Sequence, residues 1–429
     1  MAREMKDSGV AWIGKTPVEW QKNKIIRIFE TIGSGTTPKA NDEQNFDGEV
    51  YWIQSGDITG NYILTAKNRI SQSTVEKYSA LKIYSAPFVV VAMYGASIGN
   101  LAISNINACV NQACCVLKDS NIDFRFSYYT LQAAQSYLIQ QGIGGGQPNI
   151  SQEVIKQLWI PIPPQDEQKR ISGFLDKKCT EIDAVLDKTR TSIDEYKKLK
   201  QAIITQAVTK GVRRDRSMKE SGIEWVPMIP ADWDIIPSKR LFADSDERKR
   251  PDDELLTASQ KYGVISQQQY MEREKARVVL ATQGIENWKH VEPYDFIISL
   301  RSFQGGLEMS EVSGCITWHY IVLKPLRPIH SFYFKWLFKS KLYIKALQRT
   351  CNFIRDGQDL RYSNFVQVPL FIPPMEEQKE IADALNIRCA EIDALIQKKG
   401  IVSHYPLVSY KITNVCNFVN KNLYPYKIL

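Results

Sequence analysis

The chain has 429 residues, 44% of them apolar and 24% charged, which is enough for two to four compact units that each bury a core. Its net charge of +8 and pI of about 8.9 suit a polyanionic partner without requiring one. No apolar run is long enough to span a membrane and the start, MAREMKDSGVAW, does not read as a signal peptide, so a cytoplasmic protein is expected. The cysteines include no C-x-x-C and the four histidines lie far from any cysteine pair, which disfavours a structural zinc and leaves free, buried thiols.

Residues 1–20 form a polar lead with Trp12, Pro17 and Trp20. Residues 21–165 follow as a mixed domain, with β-type runs at EVYWIQSGDI (49–58), APFVVVAMYG (86–95) and ACVNQACCVLK (108–118). A helical stretch is predicted over 125–141, and Pro163-Pro164 closes the domain.

Residues 166–212 differ in kind. From Asp166 to Lys210 there is no proline, one glycine and 18 charged residues in 45. Ile171, Leu175, Ile182, Leu186, Ile193, Tyr196, Leu199 and Ile203 fall on one helical stripe. A continuous helix there would run roughly 65 Å at 1.5 Å per residue, close to two turns of B-DNA. The stripe is too interrupted for a free-standing coiled coil, so a partner helix is expected.

That partner comes from a repeat. Met5–Phe29 reappears as Met218–Phe242 with nine of 25 positions identical, and Ile160–Lys188 reappears as Leu370–Lys398 with fourteen of 29. The offsets are 213 and 210 residues. Residues 213–233 are therefore a second lead and 234–375 a second mixed domain, with β-type runs at YDFIISLRS (294–302) and CITWHYIVLKP (315–325) and a helical stretch over 331–348. The distal helix, 376–400, keeps Ile381, Leu385, Ile392 and Leu395. Residues 401–429 then turn atypical: from Gly400 onward there are four tyrosines and no acidic residue, which a frame change or truncation near Gly400 explains better than divergence. The two frames agree while the domains inside them scarcely do. That suggests one scaffold presenting two different readers.

The pattern MK-x-SG-x-x-W-x-x-x-x-P-x-x-W, combined with PP-x-x-EQ-x-x-I at the start of a long helix and duplicated, resembles the specificity (S) subunit of type I restriction–modification systems. The resemblance covers residues 5 to about 399. It implies an α+β fold with an internal twofold repeat: two target-recognition domains, each a curved sheet with flanking helices, joined by long antiparallel spacer helices. It also implies a non-catalytic subunit that directs modification (M) and restriction (R) subunits to an asymmetric bipartite site on double-stranded DNA, for adenine methylation or cleavage. S-adenosylmethionine, ATP and Mg would belong to those partners, leaving this chain without cofactor or metal.

The residues themselves carry no phosphate loop G-x-x-x-x-G-K-[ST] and no Asn/Asp-Pro-Pro-aromatic tetrad, so an enzyme acting alone is disfavoured. Candidate DNA contacts are polar residues on loops: Thr36, Thr37 and Lys39 in SGTTPK, Ser55 in SGDITGN, and Asn111 and Gln112 in VNQA. MYGASIGN (93–100) lies beside a β-run as well. In GGGQPNIS, Gln147 and Asn149 suit adenine. Its counterpart RDGQDLRY holds Arg355 and Arg361, which suit guanine, and Gln358. For the shared Gly-Gln, a tight turn or a common phosphate contact competes with base reading. LRSFQGG offers Arg301, Ser302 and Gln304, whereas DERKRPDDE (246–254) reads as a solvated charge run. The recurring tryptophans read as structural anchors. The competing function is a scaffold whose twin domains bind proteins, and salt-sensitive, sequence-selective DNA binding separates the two.

Overall fold

The computed structural model describes residues 3–142, 149–274, 284–300, 302–350 and 360–404. The chain forms two compact units, one reaching Lys188 and the other spanning Thr189–Ser403. Each is α+β.

In the first unit the lead is a small antiparallel pair, Met5–Asp7 with Lys15–Pro17. Strand Gln21–Lys24 then pairs with Trp159–Ile162, so the domain leaves beside the strand on which it began. Between them lies a five-stranded sheet in the order Phe29–Gly33, Cys114–Ser120, Phe88–Ala92, Leu101–Ser104, Tyr62–Ile63. The run FVVVA is buried along its whole length because both faces of the sheet are covered. Val89, Val91, Cys115 and Leu117 face the helical layer, and Val90, Ala92, Cys114 and Val116 face a second, three-stranded sheet. Adjacent Cys114 and Cys115 thus point to opposite faces. Burial pushes both thiols up to about 12, and the described cysteines are free and buried, as expected.

The second unit repeats this plan. Its main sheet runs Phe242–Ser245, Ile321–Pro325, Phe296–Ile298, Glu308–Met309, so the first four strands of both sheets follow one sequence-to-space order. Two predicted β-runs break at the same place: ACVNQACCVLK into Ala108–Val110 and Cys114–Ser120, and CITWHYIVLKP into Gly314–Ile316 and Ile321–Pro325. Each predicted helix also divides, into Phe124–Ala133 and Gln135–Gln140 and into Ser331–Lys339 and Lys341–Arg349. At the second break the Ser340 hydroxyl accepts from the Tyr343 N–H at 3.3 Å and restarts the helix.

The spacer is one helix, Gln165–Lys210, with Asp166 and Glu167 in its first turn where the helix dipole favours them. Its apolar stripe is not quite the predicted one. Leu199 is 48% exposed and Leu395 of the distal helix 42%, while Ile204, Ala207 and Val208 are buried. The seam instead passes through Lys200, whose ammonium bonds Asp393 at 2.6 and 2.7 Å. Its aliphatic stem can lie along the seam while the charge stays wet.

The distal helix, Met375–His404, pairs antiparallel with the spacer inside the second unit. Tyr196 meets Lys399, Lys200 meets Asp393, and the Arg213 guanidinium forks onto Glu380 with both bonds at 2.8 Å. Ile204, Ala207 and Val208 share a core with Ile381, Leu385 and Cys389. Of the atypical residues 401–429, the first four continue the distal helix and 405–429 lie outside the described residues.

Candidate nucleic-acid interface

The repeated residues form a fastening, and this settles what they do not do. Glu167, the acidic residue of the first PP-x-x-EQ, accepts from the Trp20 indole at 3.0 Å and from the Arg3 guanidinium at 2.5 and 2.8 Å. Glu377 accepts from Trp233 at 3.0 Å and is paired with Arg216. Each arginine also bonds an acid of its own lead, Arg3 with Glu19 and Arg216 with Asp232. Each lies over its tryptophan, at 5.9 and 5.8 Å from the ring centre. Burial works to raise the Glu167 carboxyl, but the hydrogen bonds from Arg3 and Trp20 hold it below the usual carboxylate range.

The neighbouring glutamines are equally matched. Gln168 donates to the Pro163 carbonyl at 2.8 Å and accepts from the Asp123 N–H at 2.7 Å. Gln378 donates to Pro373 at 2.9 Å and accepts from His330 at 2.9 Å. The duplicated motif thus ties each lead and each domain to the first turn of a long helix. It was visible in the sequence only as a repeat. The roles of Glu167, Glu377, Arg3 and Arg216 emerge from the contacts.

Most of the predicted contact residues of the first domain gather at one end of the sheets. Parallel strands Val50–Ile53 and Ala108–Val110 run off together into Ser55 and into Asn111–Ala113. The loop carrying Thr36, Thr37 and Lys39 crosses that end. Gly35 packs so tightly that an added Cβ would lie 1.7 Å from the Val110 carbonyl oxygen. Thr37 donates to Gln112 at 2.6 Å. The Met93 N–H reaches Ala113 at 2.7 Å, and the Ile150 N–H reaches Met93 at 2.8 Å, bringing exposed Asn149 alongside. Thr37, Lys39 and Gln112 are exposed, while Thr36 and Ser55 are half-buried. Asn111 departs from expectation. It is 9% exposed and its side-chain oxygen accepts from the Ala113 N–H at 3.0 Å, so it builds the turn that presents Gln112.

In the second domain the connection after Phe296–Ile298 holds Ser302 and Gln304, matching the 93–100 connection of the first. Gln304 is exposed. Ser302 is fully buried and its hydroxyl accepts from the Ser299 N–H at 2.8 Å, so it holds the turn. Arg361 is exposed at the start of helix Tyr362–Phe365, where Asn149 stands three residues before helix Gln152–Gln157. The predicted Gln147, Arg301, Arg355 and Gln358 lie outside the described residues. The run 246–254 is less solvated than expected, since the Asp253 side chain is 6% exposed and lies 2.9 Å from the Nδ1 of His290. No group of metal-ligand side chains occurs among the described residues, and no described helix is long and apolar enough to cross a membrane.

A twofold repeat of this kind matches a known family. The family model of the type I restriction modification DNA specificity domain matches the chain twice, over residues 17–189 and 230–399. The chain belongs to this family. Across 90% of its length it is 22% identical to a putative type I restriction enzyme MjaX specificity subunit of Methanocaldococcus jannaschii, of which it also covers 90%. It is 23% identical to the EcoR124I/EcoR124II specificity subunit of Escherichia coli over 48% of this chain and 46% of that one. A solved chain from a type I R-M system superposes with a TM-score of 0.67 at 14% identity, covering 94% of this chain and 98% of that one. The HsdS subunit of Thermoanaerobacter tengcongensis gives 0.50 at 14% identity, covering 94% and 97%. The chain is thus a DNA-specificity subunit of the type I kind and not itself the catalyst.

Proposed function

We propose that the two units read the two halves of an asymmetric, bipartite site on double-stranded DNA, with the spacer pair setting the unread gap. What carries this reading is the contrast within each unit. The fastening to the helices is repeated contact for contact, while the far ends of the sheets differ. In the first domain Gln112 and Asn149 would supply hydrogen bonds to base edges, and Thr36, Thr37, Lys39 and Ser55 would hold the backbone. In the second, Gln304 and Arg361 occupy comparable positions. Lysine and arginine contacts to phosphate would make affinity fall as salt rises.

The chain would act with M subunits that methylate adenine from S-adenosylmethionine, and with R subunits that cleave using ATP and Mg. It would bind none of these cofactors itself. The test is adenine-methylome sequencing of cells expressing this chain with its M subunit. Methylation on a two-part motif with a fixed gap is expected. Absence of salt-sensitive, sequence-selective DNA binding would support a protein-binding scaffold instead.

A further inference from the structure

The two reading ends differ in chemistry as well as in sequence. Where the first domain turns from Ala108–Val110 into Cys114–Ser120 it presents Gln112. At the same topological position, between Gly314–Ile316 and Ile321–Pro325, the second domain presents Trp318 and His319. Among the described residues Trp318 is the one exposed tryptophan, at 53%, and its ring stacks on that of His319 with centroids 3.6 Å apart and planes 28° apart. The cross-strand register pairs Ile298 with Ile321, which carries Leu300 out of the sheet beside this turn; Leu300 is 52% exposed. An indole held flat by a neighbouring ring, with an exposed leucine beside it, offers little hydrogen-bonding code. Such a surface suits base faces and thymine methyl groups, or insertion between base steps.

We infer that Trp318 is a specificity-determining residue of the second domain, packing its indole against a base step of the second half-site with His319 as its backing and Leu300 as a second apolar contact. The inference rests on the two-reader function proposed above. It makes the two half-sites different in kind: the first is read by hydrogen bonds, the second largely by apolar contact and deformability.

The experiment uses the complex of the full chain with its M subunit. The probes are duplexes carrying the motif found by methylome sequencing, intact or with either half scrambled. Trp318→Ala should weaken binding of the intact duplex by ~10–100-fold, the range expected for one lost base–aromatic contact. It should largely abolish the penalty for scrambling the second half while keeping the penalty for the first. Trp318→Phe should retain most of the affinity, and 2-aminopurine in the second half should brighten on binding the parent complex but not the alanine variant. Unchanged penalties in Trp318→Ala would overturn the inference. So would loss of the M subunit from that variant on size exclusion, since Trp318 would then be a protein contact. If the parent complex ignores both scrambled halves, the two-reader function itself fails.

Discussion

At the foot of the first domain Glu167 sits between Arg3 and Trp20, and at the foot of the second Glu377 sits between Arg216 and Trp233, with 3.0 Å from indole to carboxylate in both. At the outer end of the first domain Thr37 and Gln112 form a hydrogen-bonded polar surface. The second presents Leu300, Trp318 and His319. Same strand order, same fastening and different outer ends show where each constraint acts. A buried carboxylate needs its partners in place, so the fastening tolerates little change. A solvent-facing turn needs only its backbone path, so its side chains are free to differ.

The largest effect should come from breaking one fastening and sparing the other. Glu377 is fully buried, so Glu377→Ala leaves the Trp233 indole without its acceptor and Arg216 with Asp232 alone. A loss of about 3–5 kcal/mol is expected, confined to the second unit and seen as early proteolysis of that unit in limited digestion. Leu385→Ala, in the core joining the spacer to the distal helix, should cost about 2–5 kcal/mol by denaturant titration. Gln112→Ala should leave stability within about 0.5 kcal/mol of the parent. It should reduce discrimination at the first half-site by about 1–3 kcal/mol, measured by competition binding.

The first fastening also has a pH signature. Because Glu167 titrates below the ordinary glutamate value of 4.5 in the folded protein, its contribution is present above that value and lost as pH falls through its depressed folded value. Acid unfolding of Glu167→Gln should therefore show a shallower pH dependence below about pH 4.5. The smallest change is expected for Asp393→Asn. Its bond to Lys200 is exposed on the acidic side, so about 0.2–1 kcal/mol is expected in thermal unfolding.

The repeat made the architecture legible, because offsets of 213 and 210 residues locate two leads, two domains and two helices without reference to any contact. Helix periodicity predicted the spacer but misplaced its seam. It favoured Leu199, whereas the partner helix selects Lys200 through Asp393 and Ile204 through packing. Hydropathy could not divide ACVNQACCVLK or CITWHYIVLKP, since the turns at 111–113 and 317–320 lie between apolar strands and carry no Gly or Pro. Polarity on a loop was an incomplete guide to which side chains stand exposed. Asn111 and Ser302 spend their polar atoms on backbone N–H groups, while Trp318 stood inside an apolar run and had no polar signal to mark it.

The measurement that tests the central claim most directly is a domain exchange read by methylome sequencing. Residues 21–160 would be replaced by the corresponding segment of another specificity subunit, keeping Arg3, Trp20 and Glu167. The account predicts a new first half-site, an unchanged second half-site and an unchanged gap. A motif altered in both halves, or an altered gap, would contradict it.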